Sequence, residues 1–218
     1  KTQAINLVTY DYYHFGKINN NVVNNYVDED VELLLFCNND IELINNAITR
    51  LVNVYLKNKN VGTIGARLHF GNNTIQHSGI TLSLKEVNRR YQIIINHFGI
   101  KSYYTYHYQN KEVLGNTGAF LLINKKLFNY IGQFSEEYSE CFEDLELNIG
   151  CLQKNKKNIF VENAVCYHYE SQTRNKDEDK LLRESMDYQK IVPLIVKNKK
   201  TFKYFTNVKS DVLEQIFL

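Results

Sequence analysis

The chain has 218 residues, of which 44% are hydrophobic and 23% are charged, and its formal net charge is +2. This length allows one large domain or two small ones with a buried core, and the many large apolar residues exclude a disordered chain. The near-neutral charge argues against a nucleic-acid-binding protein. No apolar run approaches the roughly 20 residues that span a bilayer, and residues 1–11 lack the apolar core of a signal peptide.

The four cysteines are scattered along the chain, and no two of them form a C-x-x-C pair: Cys37, Cys141, Cys151 and Cys166. This spacing excludes the common zinc-ribbon patterns and provides no disulfide framework. We interpret all four as reduced thiols in the core of a cytoplasmic protein.

The first part of the chain alternates strand and helix patterns. Short β-branched and apolar runs predict strands, and apolar residues spaced three or four apart predict helices. In chain order the predicted elements are a strand at residues 5–10, a helix at 17–30, a buried strand at 31–36, a helix at 47–57, a strand at 61–69 and, after a turn, a strand at 74–82.

The second part begins with an ambiguous segment, residues 85–109, which is rich in Tyr and His and which we interpret as a loop with a short helix. The elements that follow are a strand at residues 118–123, helices at 125–131 and 141–154, strands at 159–161 and 164–168, a helix at 177–199 interrupted at Pro193, and a helix at 210–218. The alternation predicts an α/β sheet with a substantial parallel part, which binds ligands beyond the carboxyl ends of its strands.

Two motifs with acidic residues are candidates for chemistry. Asp40, preceded by Asn38 and Asn39, directly follows a buried strand. A carboxylate there can ligate Mg²⁺ or Mn²⁺, although the same residues also suit a turn or a helix N-cap. Glu143 and Asp144 begin an otherwise apolar helix. A carboxylate at the edge of a cleft can act as a general base, although acidic residues also suit the helix dipole there.

A third motif lies after the predicted strand at residues 164–168. His168 offers an imidazole, which is a common metal ligand, and Glu170 or Arg174 can orient it or meet a phosphate. The alternative interpretation is a loop whose histidine is satisfied by local hydrogen bonds.

Two weaker motifs contain amide, imidazole and glycine groups. Gln76 and His77 lie within a predicted strand, where His77 can also simply pack or form a local hydrogen bond. Thr117 and Gly118 precede another strand and can bring backbone close to a ligand, although glycines there more often only form a turn.

Together, in their order and spacing, these motifs resemble the bacterial glycosyltransferase family 2 enzymes of the GT-A fold, particularly the rhamnosyltransferase-like and the O-antigen or capsule types. The resemblance extends from about residue 5 to residue 174. The matching segments are residues 15–20, 38–40, 61–68, 74–79, 117–119, 131–136, 142–145 and 168–174. It implies a GT-A-like, Rossmann-like mixed sheet flanked by helices.

The resemblance also implies a function. Enzymes of this family transfer a sugar from a nucleotide-diphosphate sugar to an acceptor hydroxyl, usually with inversion. A divalent cation, Mn²⁺ or Mg²⁺, stabilises the leaving diphosphate. The expected acceptor is a glycan or lipid-linked glycan of cell-surface polysaccharide synthesis.

Residue roles follow from the same resemblance. Asp40 and His168 match the metal ligands of the family, Asp144 matches its catalytic base, and Glu143 supports that base by hydrogen bonding. Asn38 stands where the first Asp of the metal motif often stands and is expected to touch ribose or a metal-bound water. The other expected substrate-binding residues are Asn39, Gln76, His77, Thr117 and Gly118, together with Glu170 and Arg174 on a loop over the diphosphate.

The chain departs from the family pattern in three ways. It lacks the family's first strands and their uracil-binding Asp, so we expect an N-terminally truncated catalytic domain at residues 1–175 and a helical C-terminal extension at residues 176–218. Gly150 stands where the family commonly has Arg, so a phosphate contact is expected to be lost. The Q-x-x-R-W motif of processive polysaccharide synthases is absent, and the sequence has no Trp.

Expectations about partners and location are coarser. No nucleic acid is expected. The basic run at residues 197–200 indicates either peripheral association with the inner face of the cell membrane or a solvated basic face, which is the more common case. An open apolar strand edge at residues 5–10 favours association with other chains, so a homo-oligomer is one alternative.

Two other functions compete with this one. A non-catalytic glycosyltransferase-like fragment that serves as a binding or interaction domain would fit the missing strands. A metal-dependent hydrolase or phosphatase is disfavoured because the sequence offers no second carboxylate cluster for a two-metal site. The sequence specifies neither the donor sugar and nucleotide nor the acceptor.

Overall fold

A computed structural model describes residues 5–87, 90–103, 109–169 and 179–199. The helices are α1 (Phe15–Tyr26), α2 (Ala47–Lys57), α3 (Lys125–Tyr130), α4 (Glu143–Gln153) and α5 (Lys180–Lys197). The strands are β1 (Leu33–Cys37), β2 (Ile41–Leu43), β3 (Val61–His69), β4 (Ile75–His77), β5 (Ile80–Val87), β6 (Arg90–His97), β7 (Lys111–Val113), β8 (Phe120–Asn124) and β9 (Lys157–His168).

Seven strands form one sheet with the order β1-β8-β3-β9-β2, in which β4 also pairs with β3 and β7 with β9. The strands β5 and β6 form a separate antiparallel hairpin. Among the described strand pairs only β3 and β9 run parallel. The predicted α/β fold with a mixed sheet flanked by helices is confirmed, but its parallel part is smaller than the strand and helix alternation indicated.

The two faces of the sheet are covered by different helices. In β8, Leu122 joins the cluster formed with α2, whereas Leu121 and Ile123 join the cluster formed with α1, α3 and α4. This alternation follows from the two-residue side-chain period of a strand. The central strand β3 is buried along its whole length because both of its faces are covered.

A third apolar cluster joins α5 to the rest of the molecule. Ile191 and Ile195 of α5 pack with Ile93 of the hairpin and with Leu145 and Ile149 of α4. The hydroxyl of Tyr188 also donates a hydrogen bond to the backbone oxygen of Ile93 at 2.6 Å. The helix α5 therefore packs against both the hairpin and α4 and holds them in contact.

The helix predicted at residues 47–57 and the strand predicted at 61–69 have the observed bounds. Among the described residues, the other predicted helices and strands lie close to their predicted positions, with four exceptions besides the interruption at Pro193. The strand at residues 74–82 divides at Ser78 and Gly79, where φ is +105° at the glycine and the chain turns from β4 into β5. The strands at 159–161 and 164–168 are one continuous strand, β9.

The other two exceptions are larger. The loop with a short helix predicted at residues 85–109 is wrong, because most of its first half belongs to the β5–β6 hairpin, whose apolar residues pack under α5. The strand predicted at residues 5–10 is also wrong. Ile5 and Leu7 are 94% and 88% exposed, and the hydroxyl of Tyr10 bonds the Asn21 side chain of α1.

The C-terminal predictions have different outcomes. The helix α5 continues through Pro193 rather than stopping there, because Ile191 and Ile195 on either side are anchored in the core. The predicted helix at residues 210–218 lies outside the described residues. Within the described ranges no helix is long and apolar enough to cross a membrane.

Candidate functional site

A cleft of about 320 Å³ opens at the sheet edge where β1 and β9 end and β8 begins. Its wall includes seven of the residues that the sequence singled out: Asn38, Gln76, Thr117, Gly118, Glu143, Asp144 and His168. The other walls come from the β5–β6 hairpin and from the loop before α4, including Ile95, His97, Glu140 and Phe142. Residues of five separate sequence motifs therefore face one space.

His168 lines this cleft, and Asp40 lies directly beside it. The nitrogen Nε2 of His168 is 3.1 Å from Oδ1 of Asp40, and both side chains are largely buried. This Oδ1 atom is shielded from solvent and has no hydrogen-bond partner in the structure. The side-chain amide of Asn38 lies 3.3 Å from the same His168 nitrogen.

Gln76 determines which nitrogen of His168 carries the proton. Its Oε1 lies 2.6 Å from Nδ1 of His168, and its Nε2 donates to the backbone oxygen of His168. The amide oxygen accepts only if Nδ1 is protonated, so a neutral His168 turns the lone pair of Nε2 toward Asp40. A buried carboxylate oxygen and an imidazole lone pair then face each other.

This donor set fits a divalent cation. Two ligands at neighbouring positions of a six-coordinate ion with bonds of about 2.1 Å are separated by about 3 Å, which is close to the observed spacing. Metal-ligating histidines commonly donate their other N–H to an oxygen acceptor, and Oε1 of Gln76 has that place here. Three His, Cys, Asp or Glu side chains do not cluster anywhere in the described residues, so the protein offers a pair of ligands here. Mg²⁺ and Mn²⁺ sites often rely on waters and substrate phosphates for the remaining positions.

Asp144 lies in another wall of the cleft, in the first turn of α4. The helix begins directly after Phe142, whose backbone is left-handed with φ of +82°. The carboxylate is fixed from two sides, because Gly118 N–H donates to its Oδ2 at 2.9 Å and Leu145 N–H donates to its Oδ1 at 2.7 Å. A carboxylate held in this way can accept a proton from a hydroxyl that enters the cleft.

A buried amide cluster supports the turn that carries Gly118. Asn148 of α4 accepts hydrogen bonds from Asn116 N–H and from the Thr63 hydroxyl, and it donates to the backbone oxygen of Asn116. Asn158 donates to the backbone oxygens of Leu114 and Asn148. This cluster was not predicted from the sequence, since Asn is so frequent in the chain that no single Asn stands out.

The remaining predicted site residues lie elsewhere. His77 is fully buried behind the cleft rather than in its wall, and Asn39 is exposed in the turn before β2. Glu170 and Arg174 lie outside the described residues, as does Lys200 of the basic run.

The cysteines are only partly as predicted. All four are free, and Cys151 and Cys166 are buried, but Cys37 is exposed. Burial raises the pKa of Cys151 to about 12 and that of Cys166 to about 12. Cys141 lines the cleft, and burial with the nearby Asp187 carboxylate raises its pKa too, so its thiol stays protonated at neutral pH.

Comparisons with known proteins find distant relatives. The chain is 24% identical over 157 residues to the O-antigen biosynthesis protein RfbC of Myxococcus xanthus, a match over 71% of this chain and 12% of that protein. It is 25% identical over 185 residues to the uncharacterized protein y4gI of Sinorhizobium fredii, over 82% of this chain and 20% of that protein. The chain therefore spans no more than about a fifth of these curated relatives. No family model matches it.

Two solved structures align with part of the chain and share little sequence with it. The crystal structure of GalNAc-T7 with UDP, GalNAc and Mn²⁺ has a TM-score of 0.46 and 12% identity, over 63% of this chain and 27% of that one. The crystal structure of A197 from STIV has a TM-score of 0.45 and 11% identity, over 72% of this chain and 69% of that one.

Proposed function

We propose that the chain is a metal-dependent glycosyltransferase domain that transfers a sugar from a nucleotide-diphosphate sugar to a glycan hydroxyl. The observation that carries this proposal is the convergence on one cleft of His168, whose Nε2 lies 3.1 Å from Asp40, and the fixed carboxylate of Asp144. A cation site and a general base in one cleft are what transfer from a diphosphate leaving group to a hydroxyl requires.

Each residue has a distinct task in this proposal. Asp40 and His168 would hold Mn²⁺ or Mg²⁺, which when bound stabilises the negative charge of the departing diphosphate. Asp144 takes the proton of the acceptor hydroxyl. The oxygen of that hydroxyl attacks the anomeric carbon from the side opposite the diphosphate. This direction of attack inverts the configuration of the sugar. Gly118 N–H keeps the carboxylate turned toward that hydroxyl, and Glu143 lies beside it in the wall.

The distant relative from Myxococcus xanthus is consistent with this proposal, because its name places it in O-antigen biosynthesis. We extend that name to the present chain only as a substrate class, a cell-surface glycan or its lipid-linked precursor. Work at such a precursor would place the protein in the cytoplasm at the inner face of the cell membrane.

The test is calorimetric titration of the chain with UDP-, GDP- and dTDP-sugars, each with and without Mn²⁺. Binding of one donor that depends on Mn²⁺ is the expected result, and it names the nucleotide. Transfer to glycan acceptors is then measured with that donor. If no donor binds with or without the metal, the proposal is wrong and a non-catalytic binding domain becomes the better interpretation.

A further inference from the structure

The loop before α4 brings a carboxylate to the cleft that the proposed mechanism leaves unused. Glu140 lines the cleft, and only 13% of its side chain is exposed, so water competes little for it. Its Oε1 accepts a hydrogen bond from Nε of Arg183, on α5, at 2.8 Å. Because a carboxylate has two oxygens and about four acceptor positions, this ion pair fixes Glu140 and leaves acceptor positions for a ligand.

Carboxylates dominate this wall of the cleft. Glu143 and Asp144 line the same space, directly after the loop of Glu140. Burial raises the pKa of the Cys141 thiol in that loop, and the surrounding carboxylates, first Asp187 and then Glu143, raise it further. Among the described residues that line the cleft there is no Lys and no Arg. The loop and the start of α4 therefore form a wall of negative potential.

The charge of this wall separates the places of the two substrates. In the proposed function the diphosphate of the donor follows the cation, which His168 and Asp40 would hold. Carboxylates repel a diphosphate, so the wall of Glu140 does not suit that group. The other substrate, the acceptor, must bring its hydroxyl to Asp144, four positions after Glu140. The acceptor sugar is therefore the ligand that this wall fits.

The same charge restricts the chemistry of the acceptor. A sugar that carries a carboxylate or phosphate near Glu140 would meet three acidic side chains, whose charge the guanidinium of Arg183 offsets only in part. A sugar hydroxyl instead donates to a carboxylate in a charge-assisted hydrogen bond. The apolar side chains of Ile80, Ile95 and Phe142 lie in the same cleft and offer surface to the C–H faces of a sugar ring.

We propose that the cleft selects an acceptor sugar without acidic groups, that Glu140 accepts a hydrogen bond from a hydroxyl of this sugar, and that Arg183 is the positioning residue that holds Glu140. The inference deepens the proposed function and rests on it for the assignment of this sugar as the acceptor. Uronic acids and phosphorylated sugars are the classes that the wall rejects at this position.

Binding is tested first, without sugar transfer. The methyl glycosides of glucose, galactose and mannose are each compared with the corresponding uronic acid, which differs by a carboxylate at C6. ¹³C-labelled glutamate carboxyl groups report the contact, and the signal that is lost in Glu140→Gln belongs to Glu140. We expect at least one neutral glycoside to shift this signal and its uronic acid to shift it much less at equal concentration. If no neutral glycoside shifts it, or if the uronic acids shift it equally, the inference is overturned.

Kinetics with the same sugar pairs then test the role of Glu140. Because Gln accepts a weaker, uncharged hydrogen bond, Glu140→Gln should raise the KM of the neutral acceptor by about three- to tenfold, with little change in the donor KM or in kcat. The substitution also removes a negative charge, so the preference for the neutral glycoside over its uronic acid, measured as a ratio of kcat/KM values, should narrow. If either the acceptor KM or this ratio is unchanged, the inference is overturned.

Arg183→Met separates positioning from a merely structural effect. It should also raise the acceptor KM, because Glu140 is no longer held, but it should widen the preference for the neutral sugar, because a positive charge is lost. A ratio that narrows or stays the same overturns the role of Arg183. Lys180→Met is the control on the same helix, since its partner is Glu184, and it should change neither quantity. If the unaltered protein transfers no sugar, the proposed function fails, and the carboxyl shifts alone decide whether the cleft selects neutral sugars.

Discussion

Asp187 of α5 accepts the backbone N–H of Glu140 at 2.7 Å, although α5 lies far along the chain from the loop that Glu140 belongs to. The same Oδ2 atom also accepts the N–H groups of Ser139 and Cys141, at 2.9 and 3.3 Å. Asp187 is completely buried, and Glu140 and Cys141 line the cleft. One carboxylate therefore holds the loop that leads into α4 and Asp144.

Replacing Asp187 by Asn should destabilise the protein by about 2–4 kcal/mol. The charge-assisted hydrogen bonds to three backbone N–H groups are weakened, and an amide nitrogen in place of Oδ1 would face the Lys190 ammonium, which can only donate. Urea unfolding measures the loss. The control is Glu184→Gln, also on α5, whose ion pair with Lys180 is partly exposed and should contribute no more than about 0.5 kcal/mol. Equal stability of the two variants would show that the buried carboxylate does not hold the loop.

Replacing Asp144 by Asn should lower kcat for sugar transfer by about a hundredfold to ten-thousandfold, which is the usual contribution of a general base. The amide keeps the side-chain shape and one acceptor for Gly118 N–H, so the fold and Mn²⁺ binding should remain. Steady-state transfer assays and thermal unfolding measure the two effects. Glu137→Gln, at an exposed acid before the same helix, should have normal activity. An Asp144→Asn protein with full kcat would remove Asp144 from the mechanism.

Helices and strands were predictable where the spacing of apolar residues within the segment itself reflects which side chains are buried. The helix α2 and the strand β3 have the predicted bounds because Leu51 faces the core at helical spacing and β3 is buried throughout. The hairpin β5–β6 was missed because its apolar residues are buried by α5, and that contact cannot be read from the hairpin's own pattern. The apolar residues at the start of the chain have no such partner in the described structure, and their strand was not found.

Some residues of the candidate site were likewise predictable from the sequence, and others were not. Asp40, Asp144 and His168 were recognisable by type and by their place after strands or at a helix start. The orienting contacts were not, because they join residues far apart in the chain: Gln76 and His168 are separated by 92 positions, and Asn116 and Asn148 by 32. Glu140 and Asp187 had no motif to mark them, and only the folded chain brings them to their partners.

Replacing Gly65 by Ala should destabilise the protein by about 1–3 kcal/mol. A Cβ atom at this position of β3 would lie 2.6 Å from Cγ and 2.7 Å from Cβ of Asn116, inside the buried amide cluster, so the packing must shift. The control is Gly150→Ala in α4, where the nearest atom would be at an ordinary 3.5 Å. Since Ala favours the helix over Gly, Gly150→Ala should stabilise by up to about 1 kcal/mol. If both substitutions stabilise the protein in urea unfolding, the amide cluster is not tightly packed.

Replacing Asp40 by Asn should abolish the Mn²⁺-dependent rise in melting temperature. The substitution removes the anionic ligand and keeps the size of the side chain, so the metal-free protein should melt at nearly the same temperature. Electron paramagnetic resonance of free Mn²⁺ measures the binding directly. Asp30→Asn, at an exposed acid before β1, should bind Mn²⁺ normally. Equal binding by both variants would place the metal elsewhere or exclude it.

Replacing Gln76 by Leu should weaken Mn²⁺ binding by about 10- to 100-fold, the usual effect of losing the partner that orients a metal-binding histidine. Leu fills much of the same space but cannot accept the proton on Nδ1 of His168, so that ring is free to turn or to adopt the other tautomer. Titration followed by electron paramagnetic resonance gives the change in Kd. Gln153→Leu, at the exposed end of α4, is the matched control and should bind as the unaltered chain does. If Gln76→Leu binds Mn²⁺ equally well while Asp40→Asn does not, Asp40 binds the ion without His168, and the metal site must be rebuilt around Asp40 and substrate phosphates.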